Sequence, residues 1–233
     1  ASLRPQDQVT IVVGAKCYGQ KKQDIDLLIF GYLQGGLPIP KHLLPEGARA
    51  RPSYLSDFCL VIEVKGHDAN AVRFVAGNQL EVRYRGSWSN ASDQVFQQVQ
   101  SVRNYLTANV KNIRNAPYIS QGLWLARVAK AQLTGSLQIL LASDCTFEDF
   151  IRIIVNQNFD NALQYADKIG REEIRISSGR NDDRQAILAS ISYFTRSIEP
   201  SILDRRKLEV VCAKLLKDQK YVELLGKQLL IFR

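Results

Sequence analysis

The stretch DFCLVIEVKGHD (residues 57–68) joins the most apolar strand pattern of the chain to an acid and a base. The apolar run 58–62 predicts a buried strand. Residues two apart in a strand share a face, so Glu63 and Lys65 project together, with His67 next if the strand persists. Burying an acid and an ammonium is costly unless they are paired or bind a metal. The stretch therefore predicts a charged site at the end of a buried strand.

A second acid opens an earlier apolar strand, in which Asp26 precedes the run LLIF. If the two strands are antiparallel neighbours, Asp26 and Glu63 approach each other. Close carboxylates repel unless a divalent cation lies between them, and oxygen ligands suit Mg²⁺ or Mn²⁺. Such an ion would support phosphodiester hydrolysis, with Lys65 orienting or deprotonating water or holding the phosphate. The alternative is a strand-end salt bridge of Glu63 with Lys65, and Asp26 as a turn acid.

The remaining pattern predicts an α/β fold, with a mixed central sheet flanked by helices. Gly- and Pro-rich residues 34–56 predict a long loop, and valine spacing predicts a helix over 91–110. A helix capped by Thr146 is expected over 146–157. Residues 158–200 are polar, and residues 171–184 within them are not expected to pack well. The other expected elements are strands over 8–13, 25–33, 123–128 and 136–143, a hairpin over 71–84 around Gly77-Asn78, a helix after Pro200 and a final strand in KQLLIFR.

Asp26 in QDIDLLIF, the strand LVIEVKG, the hairpin and NASDQ (90–94) follow one another in an order that resembles a known family. It is the nuclease-related domain, NERD, of the PD-(D/E)xK nuclease superfamily, and the likeness covers roughly residues 8–143. The resemblance implies a restriction-endonuclease-like fold and cleavage of DNA with Mg²⁺ or Mn²⁺. Asp26 and Glu63 would be metal ligands and Lys65 the catalytic lysine.

The resemblance also implies that Gln94 matches a helix glutamine that supports the site. Gln98 lies four residues further on and is the second candidate, since residues four apart share a helix face. The family's proline after Asn90 is replaced here by Ala91, and its opening helix, which often offers a further acid, is missing or lies before residue 1. The replacement of the proline weakens the match of Gln94 to the family. A site without the further acid is expected to bind a metal ion less tightly.

The segment from Ser201 to Arg233 resembles the lead-in to a superfamily 1 helicase core in nuclease–helicase fusions. This predicts two parts, a nuclease-like domain over 1–145 and a mainly helical appendage over 146–233. The chain contains no methionine. It is therefore interpreted as a piece of a longer protein, with a helicase domain as a possible partner in the same chain.

The net charge of +8 favours polyanionic partners, nucleic acid first and an anionic membrane second. Candidate phosphate contacts are Lys41, Arg49, Arg51 and His67. The alternative for the first three is a solvated loop that binds nothing, and the alternative for His67 is a surface turn residue. No apolar run is long enough to predict a membrane span. The four scattered cysteines predict buried thiols and a cytoplasmic protein.

The expected function is metal-dependent hydrolysis of DNA, with RNA left open. The alternatives are a catalytically inactive module of the same fold that binds nucleic acid or docks to a partner, and a protein–protein scaffold. Two histidines and no Gly-x-Ser-x-Gly motif argue against a serine hydrolase, and no Gly-x-Gly-x-x-Gly motif supports dinucleotide binding.

Overall fold

A mixed β-sheet with an α-helix on each face organises the protein. The computed structural model describes residues 7–45, 50–76, 79–109, 118–135, 137–177, 190–191, 194, 223–225 and 229–231. The strands are β1 (Gln8–Lys16), β2 (Asp24–Pro38), β3 (Ser53–Lys65), β4 (Val72–Val75), β5 (Gln79–Tyr84), β6 (Ser87–Asn90), β7 (Ile119–Leu125), β8 (Leu140–Leu141), β9 (Ile174–Ile176), β10 (Glu223–Leu225) and β11 (Leu229–Ile231). The helices are α1 (Ala91–Asn109) and α2 (Phe147–Lys168).

Within the described residues the main sheet has the strand order β10-β11-β1-β2-β3-β7-β8, and β9 also pairs with β3. β1, β2 and β3 run antiparallel, whereas β3, β7 and β8 run parallel. The predicted mixed sheet with flanking helices is confirmed. β2 and β3 are antiparallel neighbours, which is the condition under which Asp26 and Glu63 were expected to approach each other. The restriction-endonuclease-like likeness and the mostly helical C-terminal appendage stay predictions.

β3 is buried on both faces, which explains its continuous apolar run. Cys59 and Val61 pack in one cluster with apolar residues of α1. Leu60 and Ile62 pack in the other cluster with apolar residues of α2. The two helices therefore cover opposite faces, and the alternation along β3 directs Glu63 to the α1 side.

Several predicted boundaries are wrong. The expected loop 34–56 is shorter, because β2 continues to Pro38 through Gly35 and Gly36, which both have φ of 79°. These positive φ angles lie within a register shift between Tyr32 and Leu37, so glycine here marks an irregular strand. The strand expected over 123–128 is β7, which begins at Ile119, and that over 136–143 shortens to β8. β6, β9 and β10 were not predicted.

The hairpin is confirmed as β4 and β5, while its turn residues 77–78 lie outside the described residues. β6 extends it to a three-stranded sheet. The final strand is present as β11, which pairs antiparallel with β1. The helix expected after Pro200 lies outside the described residues.

The second helix is longer than its sequence suggests. α2 continues through part of the polar region, and Phe159 and Ala166 lie buried in the same core as Leu60. β9 then pairs in parallel with the start of β3. The domain boundary predicted between residues 145 and 146 stays a prediction. In the structure, residues that follow this boundary cover the α2 face of the main sheet.

Three cysteines, Cys17, Cys59 and Cys145, are buried free thiols, as predicted, and Cys212 lies outside the described residues. Burial raises the pKa of the Cys17 thiol to about 12, so this thiol is protonated and unreactive at neutral pH. Among the described residues, no helix combines the length and hydropathy needed to cross a membrane.

Asp149 fixes the start of α2. Thr146 is the N-cap, as predicted, and its backbone N–H donates to Asp149 Oδ2 at 2.7 Å. Lys130 Nζ donates to the same oxygen at 2.8 Å, and Arg152 donates to Oδ1 at 2.5 Å. Burial alone would raise the pKa of Asp149, but the hydrogen bonds from Lys130 and Thr146 outweigh it, and the pKa lies below its ordinary value.

We expect Asp149→Asn to reduce the free energy of unfolding by about 1–2 kcal/mol at neutral pH, because it loses the charged cap. A lowered carboxyl pKa stabilises the fold above its unfolded-state value of about 4, and this contribution disappears as the pH falls through the folded-state pKa. The difference between wild type and variant, measured by urea unfolding, should therefore vanish in acid. Asp160→Asn, on an exposed position of α2, is the control. An unchanged difference at low pH would contradict the account.

Candidate active site

A buried charged cluster forms where β3 ends beneath α1. Glu63 and Lys65 are 4% and 2% exposed, and they project to the α1 side as the alternation predicted. Gln94 and Gln98 reach them from the first turns of α1. Asp26 enters from β2, next to β3. The structure thus brings together all five residues that the sequence analysis placed at the centre.

Both carboxylate oxygens of Glu63 accept hydrogen bonds from side chains. Oε1 lies 2.5 Å from Lys65 Nζ and 2.6 Å from Gln94 Nε2. Oε2 accepts from Gln98 Nε2 at 2.5 Å, and the same nitrogen donates to the carbonyl oxygen of Asp24 at 3.0 Å. These contacts fix the orientation of Glu63 relative to both α1 and β2.

The Lys65 ammonium makes three hydrogen bonds, which matches its three N–H groups. Its partners are Glu63 Oε1, the Gln94 Oε1 atom at 2.9 Å and the Tyr84 hydroxyl at 3.1 Å. Burial would lower the pKa of Lys65, but the charge and hydrogen bond of Glu63, together with Tyr84, raise it above the ordinary value. Lys65 therefore remains a cation at neutral pH.

Asp26 lies close enough to Glu63 to affect its ionisation. Its Oδ2 accepts the backbone N–H of Val64 at 2.9 Å, which places the carboxylate directly beside β3. Burial, and then the charge of Asp26, raise the pKa of Glu63, whereas Lys65 and Gln98 act in the opposite direction. A cation placed beside Glu63 would be stabilised by the negative charge that Asp26 opposes there.

The cluster contains oxygen atoms of the type that a hard divalent cation binds. The Asp26 and Glu63 carboxylates supply two oxygen ligand groups, and Gln98 Oε1 is buried without a hydrogen-bond partner in the described part of the chain. The described residues contain no group of three or more His, Cys, Asp or Glu side chains placed to hold a metal. Mg²⁺ nevertheless suits such a site, because it usually keeps several water ligands and needs one or two carboxylates.

Tyr84 is a site residue that the sequence analysis did not identify. Besides accepting from Lys65, its ring meets His67 edge-on, with 4.4 Å between ring centroids. Tyr84 follows Leu80 and Val82 at a spacing of two on β5, and both of those are fully buried. The spacing of two residues puts Tyr84 on the same face of β5 as Leu80 and Val82, which is the inward face of the hairpin. This spacing is the sequence signal that could have identified Tyr84 as a site residue.

His67, predicted to touch phosphate, lies half-buried beside the cluster. Its Nδ1 atom is buried and has no hydrogen-bond partner among the described residues. Burial first, and then the charges of Lys65 and Arg127, lower the pKa of His67 against the opposing charge of Asp68. The imidazole is therefore mainly neutral at neutral pH.

The other candidate phosphate contacts lie elsewhere. Arg51 precedes β3, so about 40 Å of strand separates it from Lys65. Its guanidinium donates to Asp167 at 2.5 Å and to two nearby backbone carbonyls, and it attaches this loop to the end of α2. Lys41 is exposed in a short 3-10 turn, and Arg49 lies outside the described residues.

Comparisons of the chain with protein-family models, curated proteins and solved structures gave no match. The likeness to the nuclease-related domain therefore rests on the motif residues and on the order in which they occur.

The ion pair predicts a specific pattern of stability. Lys65→Met leaves Glu63 buried without its cation, and we expect a loss of about 3 kcal/mol in the free energy of unfolding. Adding Glu63→Gln removes the uncompensated charge, so the double variant should be more stable than Lys65→Met alone. Urea unfolding of the single and double variants measures both. A double variant that loses the sum of the two single effects would show that the charges are not coupled.

Proposed function

We propose that the protein is a nuclease that hydrolyses DNA phosphodiester bonds with the help of Mg²⁺ or Mn²⁺. The observation that carries this proposal is the placement of two mutually repelling carboxylates, Asp26 and Glu63, beside the buried ammonium of Lys65. A buried salt bridge needs hydrogen-bond partners such as the two glutamines, but it does not need the charge of a second acid. The net positive charge of the chain supports a polyanionic substrate.

Asp26 and Glu63 would hold the metal ion. When bound, Mg²⁺ or Mn²⁺ lowers the pKa of coordinated water and neutralises charge on a phosphodiester. Lys65 would stabilise the phosphate as a fixed positive charge nearby, because its raised pKa keeps the ammonium protonated and therefore unable to accept a proton. This favours electrostatic stabilisation over the role of general base.

The glutamines would keep these groups in position. Gln94 contacts both Lys65 and Glu63 through opposite ends of its amide, so it sets the separation of the cation and the acid. Gln98 connects Glu63 to the backbone of Asp24 and thus to the strand that carries Asp26. A catalytic arrangement needs such support, because small displacements of reacting groups reduce rates strongly.

A second candidate function is an inactive module of the same fold that binds nucleic acid. It is favoured by the hydrogen bonds that already occupy both oxygens of Glu63. It is also favoured by the absence, among the described residues, of a third acid placed with Asp26 and Glu63 to hold a metal. Such a module need not bind Mg²⁺ or Mn²⁺. Its affinity for DNA should still fall as the salt concentration rises.

The proposal is tested by cleavage of plasmid and single-stranded DNA in Mg²⁺, Mn²⁺ or EDTA. We expect cutting that requires the metal and that falls by about 10²–10³-fold in Lys65→Ala, because a preorganised charge at the transition state is lost. Lys168→Ala, on the exposed surface of α2, is the matched control and should cut normally.

Equal cutting by Lys65→Ala and wild type would contradict the assigned site. DNA binding that depends on salt, without cutting in either metal, would favour the inactive module instead.

A further inference from the structure

Two surface turns border the candidate active site. The first joins β1 to β2 and comprises residues 17–23, and it ends next to Asp24. Gln98 Nε2 donates to the carbonyl oxygen of Asp24 and to Glu63 Oε2, so a single amide nitrogen connects the start of β2, which directly follows this turn, with the site. The second turn joins β5 to β6 and begins directly after Tyr84, whose hydroxyl accepts from Lys65.

The second turn carries an arginine in an unusual conformation. Arg85 has φ of 46° and Gly86 has φ of 89°, as a two-residue hairpin turn requires. Asn or Gly is preferred at the first of these positions, because a left-handed backbone crowds the Cβ atom of other residues. Arg85 is exposed, and within the described residues it makes no hydrogen bond or ion pair. In the described structure, the guanidinium therefore makes no contact that would compensate for the unfavourable backbone conformation of Arg85.

The first turn combines an aromatic ring with a cation in a similar way. Tyr18 is 64% exposed, the largest exposure of any large hydrophobic side chain in the described residues. Lys21 is exposed three residues later. Tyr84, at the start of the second turn, is itself 45% exposed and is followed by Arg85. Each margin of the site thus presents an exposed aromatic residue together with a cation.

We propose that these two turns bind single-stranded nucleic acid across the candidate active site. The inference rests on the proposed nuclease function and names its substrate class. Lys21 and Arg85 would contact phosphates, which any strand offers. Exposed rings such as Tyr18 stack well on unpaired bases, whereas the bases of a duplex are already stacked on one another. Aromatic side chains interleaved with cations therefore favour a single strand over a duplex.

Binding is measured by fluorescence anisotropy of a short labelled deoxyoligonucleotide, single-stranded or paired with its complement, in EDTA. We expect wild type to bind the single strand more tightly. Tyr18→Ala should weaken single-strand binding by about tenfold and leave duplex binding unchanged, because one stacked base is lost. Tyr165→Ala, which removes a comparably exposed ring from α2, is the control.

The two cations are tested through the salt dependence of the same affinity. Lys21→Ala and Arg85→Gly should each reduce the slope of log affinity against log salt by about 0.7, which corresponds to one phosphate contact. Glycine adopts the backbone of position 85 without strain, so Arg85→Gly should not lower the melting temperature, and a binding defect cannot be ascribed to unfolding. Lys168→Ala is the matched control for charge.

Wild-type preference for the duplex, or a Tyr18→Ala variant with unchanged single-strand affinity, would overturn the proposal. Slopes that are equal in all variants would overturn the assignment of the two cations. EDTA prevents metal-dependent cutting, so these outcomes are independent of whether the protein proves to be a nuclease. A failed cleavage assay with intact single-strand preference would refute the enzyme and leave the binding surface standing.

Discussion

The structure around the site depends on the burial of one ion pair, Glu63 with Lys65, at the end of the central strand. Removing two charges from water is expensive, and their attraction compensates only when the remaining hydrogen-bonding groups are satisfied. Lys65 uses all three of its N–H groups, and both oxygens of Glu63 accept hydrogen bonds. Every element that borders this pair is therefore constrained in position. α1 must supply two amides, and β5 must supply a hydroxyl.

This constraint explains why three separate segments converge on one strand end. β2 brings Asp26 to the backbone of Val64, α1 covers the pair, and the small hairpin sheet closes it with Tyr84. Asp26 accepts the backbone N–H of Val64, but its charge raises the pKa of Glu63 rather than stabilising the ion pair. A neutral hydrogen-bond acceptor in that position would serve the Val64 N–H without opposing the charge of Glu63. The charge of Asp26 is the feature that most favours a function with a divalent cation.

Much of this centre could be predicted because it is encoded locally. The alternation along β3 placed Glu63 and Lys65 on one face, and a spacing of four placed Gln94 and Gln98 together on α1. Tyr84 was missed because its contact with Lys65 depends on how the hairpin folds over the sheet. The extension of α2 was missed because its polar residues face solvent, and because buried Asn158 is satisfied by Ser120 and the Ile154 carbonyl. When a buried polar side chain is satisfied by a residue distant in the sequence, as Asn158 is by Ser120, the sequence carries no periodic signal of its burial.

The central claim is that Asp26 and Glu63 together make a site for a divalent cation, and calorimetric titration with Mn²⁺ tests it most directly. Glu63→Gln keeps the size and much of the hydrogen bonding of the side chain but removes its charge. The account predicts saturable binding of Mn²⁺ to wild type, loss of that binding in Glu63→Gln and the same loss in Asp26→Asn. Binding that survives both substitutions, or no binding to wild type, would contradict it.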